Sequence, residues 1–158
     1  DEETERFFNK LAAQYANHSN VSILLEQDEN LAHKTFAASD LIIIPSLFEP
    51  CGLTQMIAFH YGTIPLVRKT GGLKDTVCNF NETPSPEQQS RGFTFSEPSK
   101  KELLSSLDDA IETYNNPKLW KQLVTQGMKV DFSWKSSSNC YLDLYKKVAL
   151  KKKQLLCG

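Results

Sequence analysis

Two short, unbroken apolar runs, Leu41–Ile44 and Ile64–Val67, constrain the fold of this chain more than any other feature. A strand with one face in water alternates apolar and polar residues; an unbroken run needs both faces covered, as in a parallel sheet sandwiched by helices. Asp40 and Pro45 bound the first run, so it reads as a central parallel strand. Between the runs the pattern predicts a helix over Leu53–Tyr61 ended by Gly62. After the second run, Gly71 and Gly72 precede a helix from Leu73 toward Cys78. The order β-α-β-α places the chain in the α/β class, as an open parallel sheet flanked by helices.

The flanking segments extend this pattern. Phe7, Phe8, Leu11 and Tyr15 recur at helical spacing within Glu2–Asn17, and Val21–Leu25 is a mostly apolar run suited to a buried strand. Leu31, Phe36 and Ala37 suggest a further short helix. Asn79–Ser90, polar and carrying Pro84 and Pro86, reads as a long surface loop, and Gly92–Phe95 as a short strand closing the sheet at its edge. Ser99 with Glu102 forms a capping-box pattern ahead of Leu103, Leu104, Leu107, Ile111 and Tyr114. Asn116-Pro117 starts another helix, with Trp120, Leu123 and Val124, that stops at Gly127. Ser133 is expected to cap a last helix with Tyr141, Leu144, Tyr145 and Val148 on one side, and its lysines 146, 147, 151, 152 and 153 read as a solvated helix end. Trp120 and Trp134 read as packing aromatics, and His18, His33 and His60 as non-catalytic.

At 158 residues, with 40% hydrophobic and 23% charged side chains, the chain has the size and balance of one folded domain, taken as residues 1–158. Eighteen basic against nineteen acidic residues leave a net charge of −1, which gives no field for collecting nucleic acid or anionic lipid. No apolar run approaches the roughly 18 residues of a membrane helix. Cys51, Cys78, Cys140 and Cys157 fall into no C-x-x-C pair or zinc-ligand spacing with the three histidines, so reduced thiols and no metal are expected. N-x-S/T triplets at Asn17, Asn20 and Asn81 matter only in a secreted chain. The opening Asp1-Glu2-Glu3-Thr4-Glu5, without Met or a targeting pattern, suggests a piece of a longer protein.

In open parallel sheets, ligands bind outside the carboxyl ends of the strands, which directs attention to Pro45–Gln55 and Arg68–Leu73. In the first loop, Gly52 allows close backbone approach, and the amides around Leu53 and Thr54 face a helix N-terminus that favours an anion such as phosphate. Glu49 would repel that anion, so its better use is to accept sugar hydroxyls or stabilise positive charge developing at a sugar carbon. Taken as an isolated loop, the plainer account has Glu49 capping the helix and Cys51 filling a core gap. Thr70-Gly71-Gly72 offers further amides before a helix, a weak signal alone. Neither G-x-G-x-x-G nor G-x-x-x-x-G-K-[ST] occurs, which argues against a dehydrogenase or an ATPase.

Three strings together carry a resemblance: Phe48-Glu49-Pro50-Cys51-Gly52-Leu53-Thr54-Gln55, Tyr61-Gly62-Thr63-Ile64-Pro65, and Arg68-Lys69-Thr70-Gly71-Gly72-Leu73-Lys74-Asp75-Thr76-Val77. With His33 and Asp40 upstream, and Gly92–Phe95 and Phe132-Ser133-Trp134 downstream, the stretch from Glu26 to Tyr145 resembles the C-terminal domain of bacterial glycogen synthases and plant starch synthases. The resemblance implies a Rossmann-like C-terminal half of a GT-B glycosyltransferase, with a helical C-terminal segment. It implies retaining transfer of glucose from ADP-glucose, the donor substrate, to the non-reducing end of an α-1,4-glucan, without a metal or other cofactor. Glu49 would be the catalytic residue facing the donor glucosyl unit. Cys51 and Gly52 would line the sugar, Leu53 and Thr54 would hold the distal phosphate through their amides, and Thr70, Gly71 and Gly72 would lie beside the nucleotide-sugar.

The match has departures. Ile57 stands where many related GT-B enzymes place a second glutamate, and Gln27 where many have an aromatic residue beside adenine, so neither contact is carried over. The family's N-terminal domain and the basic pair that clamps the donor phosphates would precede Asp1, leaving Arg68 and Lys69 as the nearby cations. The implied partners are therefore the nucleotide-sugar, the α-glucan and the protein's own N-terminal domain, in a bacterial cytoplasm or a plastid. The chain alone is expected to transfer negligible glucose. Two other readings remain open on the residues: a GT-B transferase using UDP-glucose, and a non-catalytic glucan- or partner-binding module that keeps the fold.

Overall fold

A computed structural model describes residues 2–82 and 91–156, without the side chains of Arg91 and residues 153–156. Most of the expected Asn79–Ser90 loop, with Pro84 and Pro86, lies outside the described residues, as does Cys157. The chain divides into two compact units, Asp1–Thr35 and Phe36–Gly158.

The first unit holds α1 (Glu2–Tyr15) and most of α2 (Glu29–Ala38). Acidic Glu2, Glu3 and Glu5 sit in the first turn of α1, where the helix dipole favours them. Asp28 caps α2 by accepting the Leu31 amide at 3.0 Å. The strand expected over Val21–Leu25 is absent: these residues are irregular, and Leu24 is 65% exposed. An apolar run becomes a strand only where a neighbouring edge pairs with its backbone, and among the described residues no strand ladder includes this run.

The second unit is built on β1 (Leu41–Ile44), β2 (Ile64–Arg68), β3 (Cys78–Asn79) and β4 (Arg91–Phe95), all parallel, in the order β1-β2-β4-β3. α3 (Thr54–Tyr61) joins β1 to β2, and α4 (Gly71–Thr76) joins β2 to β3. Three helices follow: α5 (Lys100–Tyr114), α6 (Pro117–Gly127) and α7 (Trp134–Leu156). β2 is the strand that the continuous-run argument describes. Ile64 and Leu66 pack with Phe93, Phe95, Ala110, Trp120 and Leu123, while Val67 packs with Phe59, Leu73 and Val77, so helices cover both of its faces.

Two expectations about strand position are corrected. β1 lies at one end of the described sheet rather than at its centre, with Ile43 exposed, and β4 lies inside the sheet because the two-residue β3 pairs beyond it. Two caps also differ in detail. Ser99 accepts the Glu102 amide at 3.2 Å as the capping box requires, but the Glu102 carboxylate reaches the Ser96 amide. Before α7, Asp131 accepts the Ser133 amide at 2.9 Å, while the Ser133 carbonyl accepts the Ser136 amide. Asn116 caps α6 as expected, accepting from Leu119 at 3.2 Å with Pro117 in the first turn. Trp120 is buried beside Phe93 and Tyr114, whereas Trp134 is 82% exposed and packs into no core. The apolar side of α7, with Tyr141, Leu144, Tyr145 and Val148, is exposed throughout.

Candidate nucleotide-sugar site

The loops after β1 and β2 leave the carboxyl ends of adjacent parallel strands and touch each other directly. The Gly72 amide donates to the Glu49 carbonyl at 3.1 Å. A Cβ on Gly71 would lie 1.8 Å from the Glu49 carbonyl oxygen, and one on Gly72 would lie 1.8 Å from that of Cys51. Two glycines are therefore needed because one loop's backbone lies against the other's. Gly71 also holds a positive φ of 44°, a conformation that L side chains rarely adopt.

Arg68, at the end of β2, holds the first loop from beneath. Its Nε donates to the Ser46 carbonyl at 2.8 Å, one terminal nitrogen donates to the Leu47 carbonyl, and the other to the Ser96 carbonyl at 3.4 Å. Each of the three guanidinium nitrogens thus donates to a main-chain oxygen, tying the loop after β1 to the segment after β4. Lys69 pairs with Glu82 at 2.6 Å. The two cations that the sequence offered for a diphosphate are both engaged within the chain.

Glu49 is half-buried. Its Oε1 accepts the Gly52 amide at 3.2 Å and its Oε2 the Ser46 hydroxyl at 3.4 Å. A helix cap would take an amide two or three residues beyond the N-cap Leu53; Glu49 takes one before it, and no side chain caps α3. The first turn of α3 contains no acidic residue, so its positive end is left to the main-chain amides. Cys51 is exposed and fills no core gap. Leu53 and Thr54 are exposed at the helix start, and Gly52 is buried with φ 68°.

The structure therefore brings Glu49, Cys51, Gly52, Leu53 and Thr54 together with Thr70, Gly71 and Gly72. It also divides their amides. Those of Gly52, Thr70 and Gly72 are spent on Glu49 Oε1, the Arg68 carbonyl and the Glu49 carbonyl, so these three hold the loops in shape. Gly72 is buried and its amide is not an open donor, unlike the sequence expectation of a free stretch of amides.

Gln55 received no role from the sequence, although it ends the first of the matching strings. It is fully buried and donates through Nε2 to the Gly52 carbonyl at 2.7 Å and to Thr76 Oγ1 at 2.8 Å. Thr76 Oγ1 donates in turn to the Gly72 carbonyl at 2.7 Å. A polar residue on the inner side of a helix was the available signal. Among the described residues no group of three or more His, Cys, Asp or Glu side chains is placed to hold a metal ion, and no helix is long and apolar enough to cross a membrane.

A parallel four-stranded sheet flanked by helices, with two glycine-bearing loops meeting at its carboxyl edge, defines the class as open α/β, in which ligand sites lie at that edge. Within that class, residues 1–129 match the family model described as glycosyl transferases group 1, and the chain belongs to that family. It is 45% identical over 145 residues to a glycogen synthase of Protochlamydia amoebophila, covering 91% of this chain and 29% of that protein. It is 46% identical over 142 residues to a probable starch synthase 4, chloroplastic/amyloplastic, of Arabidopsis thaliana, covering 89% of this chain and 14% of the relative. The catalytic domain of starch synthase IV from Arabidopsis thaliana, bound to ADP and acarbose, superposes with a TM-score of 0.84 at 43% identity over 93% of this chain and 30% of that one. The chain thus spans about 30% of the length of the glycogen synthases it matches.

Proposed function

We propose that this chain forms the donor-binding part of a glycogen or starch synthase, a hexosyltransferase that moves glucose from ADP-glucose to an α-1,4-glucan with retention. The observation that carries the reading is the junction of the two loops. It leaves an acid, Glu49, held at the mouth of a helix start whose amides have no side-chain cap and no acidic neighbour in the first turn. In this reading the amides of Leu53 and Thr54 take the distal phosphate. Glu49 faces the glucosyl unit, and Cys51 and Gly71 line the space beside it. Amide dipoles stabilise the leaving diphosphate; Lys69 is paired with Glu82, and Arg68 keeps its positive charge while it grips main-chain carbonyls, so further positive counter-charge comes from the rest of the enzyme. An N-terminal domain carrying the acceptor site completes the cleft. The reaction needs no metal or other cofactor, and the enzyme works in a bacterial cytoplasm or a plastid.

The test is a hybrid in which residues 1–158 replace the matching segment of the Protochlamydia amoebophila glycogen synthase. The hybrid should transfer glucose from ADP-glucose to glycogen, and Glu49→Ala should lower its turnover by about 10²-fold or more. A clear preference for UDP-glucose would replace the donor assignment. A folded hybrid without turnover would point to a non-catalytic module, and one whose turnover ignores Glu49→Ala would remove Glu49 from the catalytic role.

A further inference from the structure

We propose that the buried Gln55 and the half-buried Thr76 form a positioning relay that sets the direction of the Leu53 amide, and through it the grip on the donor's diphosphate. The inference rests on the functional reading above, but its physical core is independent of any ligand.

In a planar trans peptide the carbonyl and the following N–H point in opposite directions. The Gly52 carbonyl and the Leu53 N–H belong to one such unit, and the described residues contain no cis peptide. The Gln55 side chain, with no exposed surface, draws the Gly52 carbonyl inward at 2.7 Å. The Leu53 N–H is thereby turned outward, at a residue that is itself exposed. The other proton on the same Gln55 nitrogen reaches Thr76 Oγ1 at 2.8 Å, and that hydroxyl holds the Gly72 carbonyl at 2.7 Å. One chain of three hydrogen bonds thus fixes Gly52 in the first loop against Gly72 in the second.

Two further observations separate this relay from ordinary packing. Gln55 Oε1 is buried and has no hydrogen-bond partner among the described residues. An apolar side chain of similar size would avoid that oxygen but would take the Nε2 donor from the Gly52 carbonyl, so the amide is retained for what its nitrogen holds. Rotating the amide by half a turn would set its oxygen against the Gly52 carbonyl and lose that bond, although the Thr76 hydroxyl could still donate to it. In addition, a Cβ on Gly52 would lie 2.6 Å from Gln55 Nε2 and 2.8 Å from Oε1, so the glycine is what lets the amide approach its carbonyl.

The experiment uses the 158-residue chain, with Gln55→Leu, Thr76→Val and Thr76→Ser. The first readout is the orientation of the Leu53 N–H vector from residual dipolar couplings without ligand. Gln55→Leu and Thr76→Val should rotate it while the couplings of β2 and α5 stay fixed, and Thr76→Ser, which keeps the hydroxyl, should leave it in place. The second readout is ADP titration followed at the Leu53 and Thr54 amides. Affinity should fall about tenfold in Gln55→Leu and Thr76→Val and return to within about twofold in Thr76→Ser. Should Gln55→Leu fail to fold, the two Thr76 variants decide. An unchanged Leu53 orientation in Thr76→Val overturns the relay even where ADP binds. A Leu53 N–H rotated in Thr76→Val, together with a wild-type chain indifferent to ADP, upholds the relay's geometry and overturns its role, together with the functional reading.

Discussion

Gly72→Ala tests the junction of the two loops most directly. Gly72 has an ordinary helical φ, so an added methyl meets no backbone strain of its own; the cost comes from the Cys51 carbonyl oxygen 1.8 Å away. That contact must open to at least 3.0 Å, the floor of real Cβ contacts, and the obstacle is main chain rather than a flexible side-chain tip. Overpacking of this kind costs about 1–3 kcal/mol, which in a chain of this length lowers the melting temperature by roughly 3–10 °C. The separation would also break the Gly72 amide bond to the Glu49 carbonyl and carry Glu49 with it. A displacement of about 1 Å at a catalytic acid is enough to cost about 10²-fold in rate. Gly62→Ala is the control. It is strained by its φ of 87° and costs about 1–2 kcal/mol, yet its added Cβ meets the side chains of Met128 and Val124, not the loops. Thermal unfolding together with amide shifts of Gly52 and Ser46 separates the two variants: both should melt earlier, and Gly72→Ala alone should move the loop resonances. A Gly72→Ala chain with wild-type Gly52 and Ser46 shifts would refute the contact argument.

Arg68→Lys keeps the charge but loses the planar fork, so no more than part of the grip on the Ser46, Leu47 and Ser96 carbonyls survives; hydrogen exchange in the first loop should quicken while that of β2 does not. Asp131 is held below its ordinary carboxyl value by the hydroxyl and amide of Ser133. Its contribution to the start of α7 is therefore present above the unfolded value and lost as pH falls through the lower folded value; a pH titration of the Ser133 amide should show its inflection below 3.8, and one at or above 3.8 would sink the assignment. Phe93→Ala should destabilise the chain by about 3–5 kcal/mol in chemical unfolding, because that ring is buried against both Phe80 and Trp120. The chain on its own should transfer negligible glucose from ADP-glucose in a radiolabel assay, and robust glucan synthesis would overturn the half-cleft reading.

What the sequence revealed and what it hid divide along a physical line. Local rules placed β1, α3, β2, α5 and α6 within a residue or two, because unbroken apolar runs, Ser99, Asn116-Pro117 and Gly62 each act on their immediate neighbours. Position within the sheet is not local. Leu41–Ile44 has the composition of a central strand and sits at an end, Gly92–Phe95 was placed at an edge and is interior, and Cys78–Asn79 is too short to carry any pattern. Val21–Leu25 shows the same limit, since an apolar run names no partner. At the site, the quoted strings gathered the right residues but not their hydrogen bonds. Nothing in Arg68 or Gly72 as letters shows that the guanidinium would grip carbonyls or that the amide would bond the other loop.

The choice between Glu49 as a helix cap and Glu49 as a sugar-facing acid dissolves once the lone pairs are counted. A carboxylate offers about four acceptor sites, and the bonds described here use one on each oxygen, to Gly52 and to Ser46. Both donors come from Glu49's own loop, which is in turn held by Arg68 from below and by Gly72 from the side. Those two bonds fix the acid's orientation and leave acceptor capacity on each oxygen. They also leave untouched the amides at the start of α3 that a true cap would consume. Holding an acid in place while its remaining lone pairs stay available is what stabilising a developing positive charge beside a bound anion requires. The local structural role and the proposed catalytic one would therefore use different lone pairs of the same carboxylate, so an argument for the first is not an argument against the second.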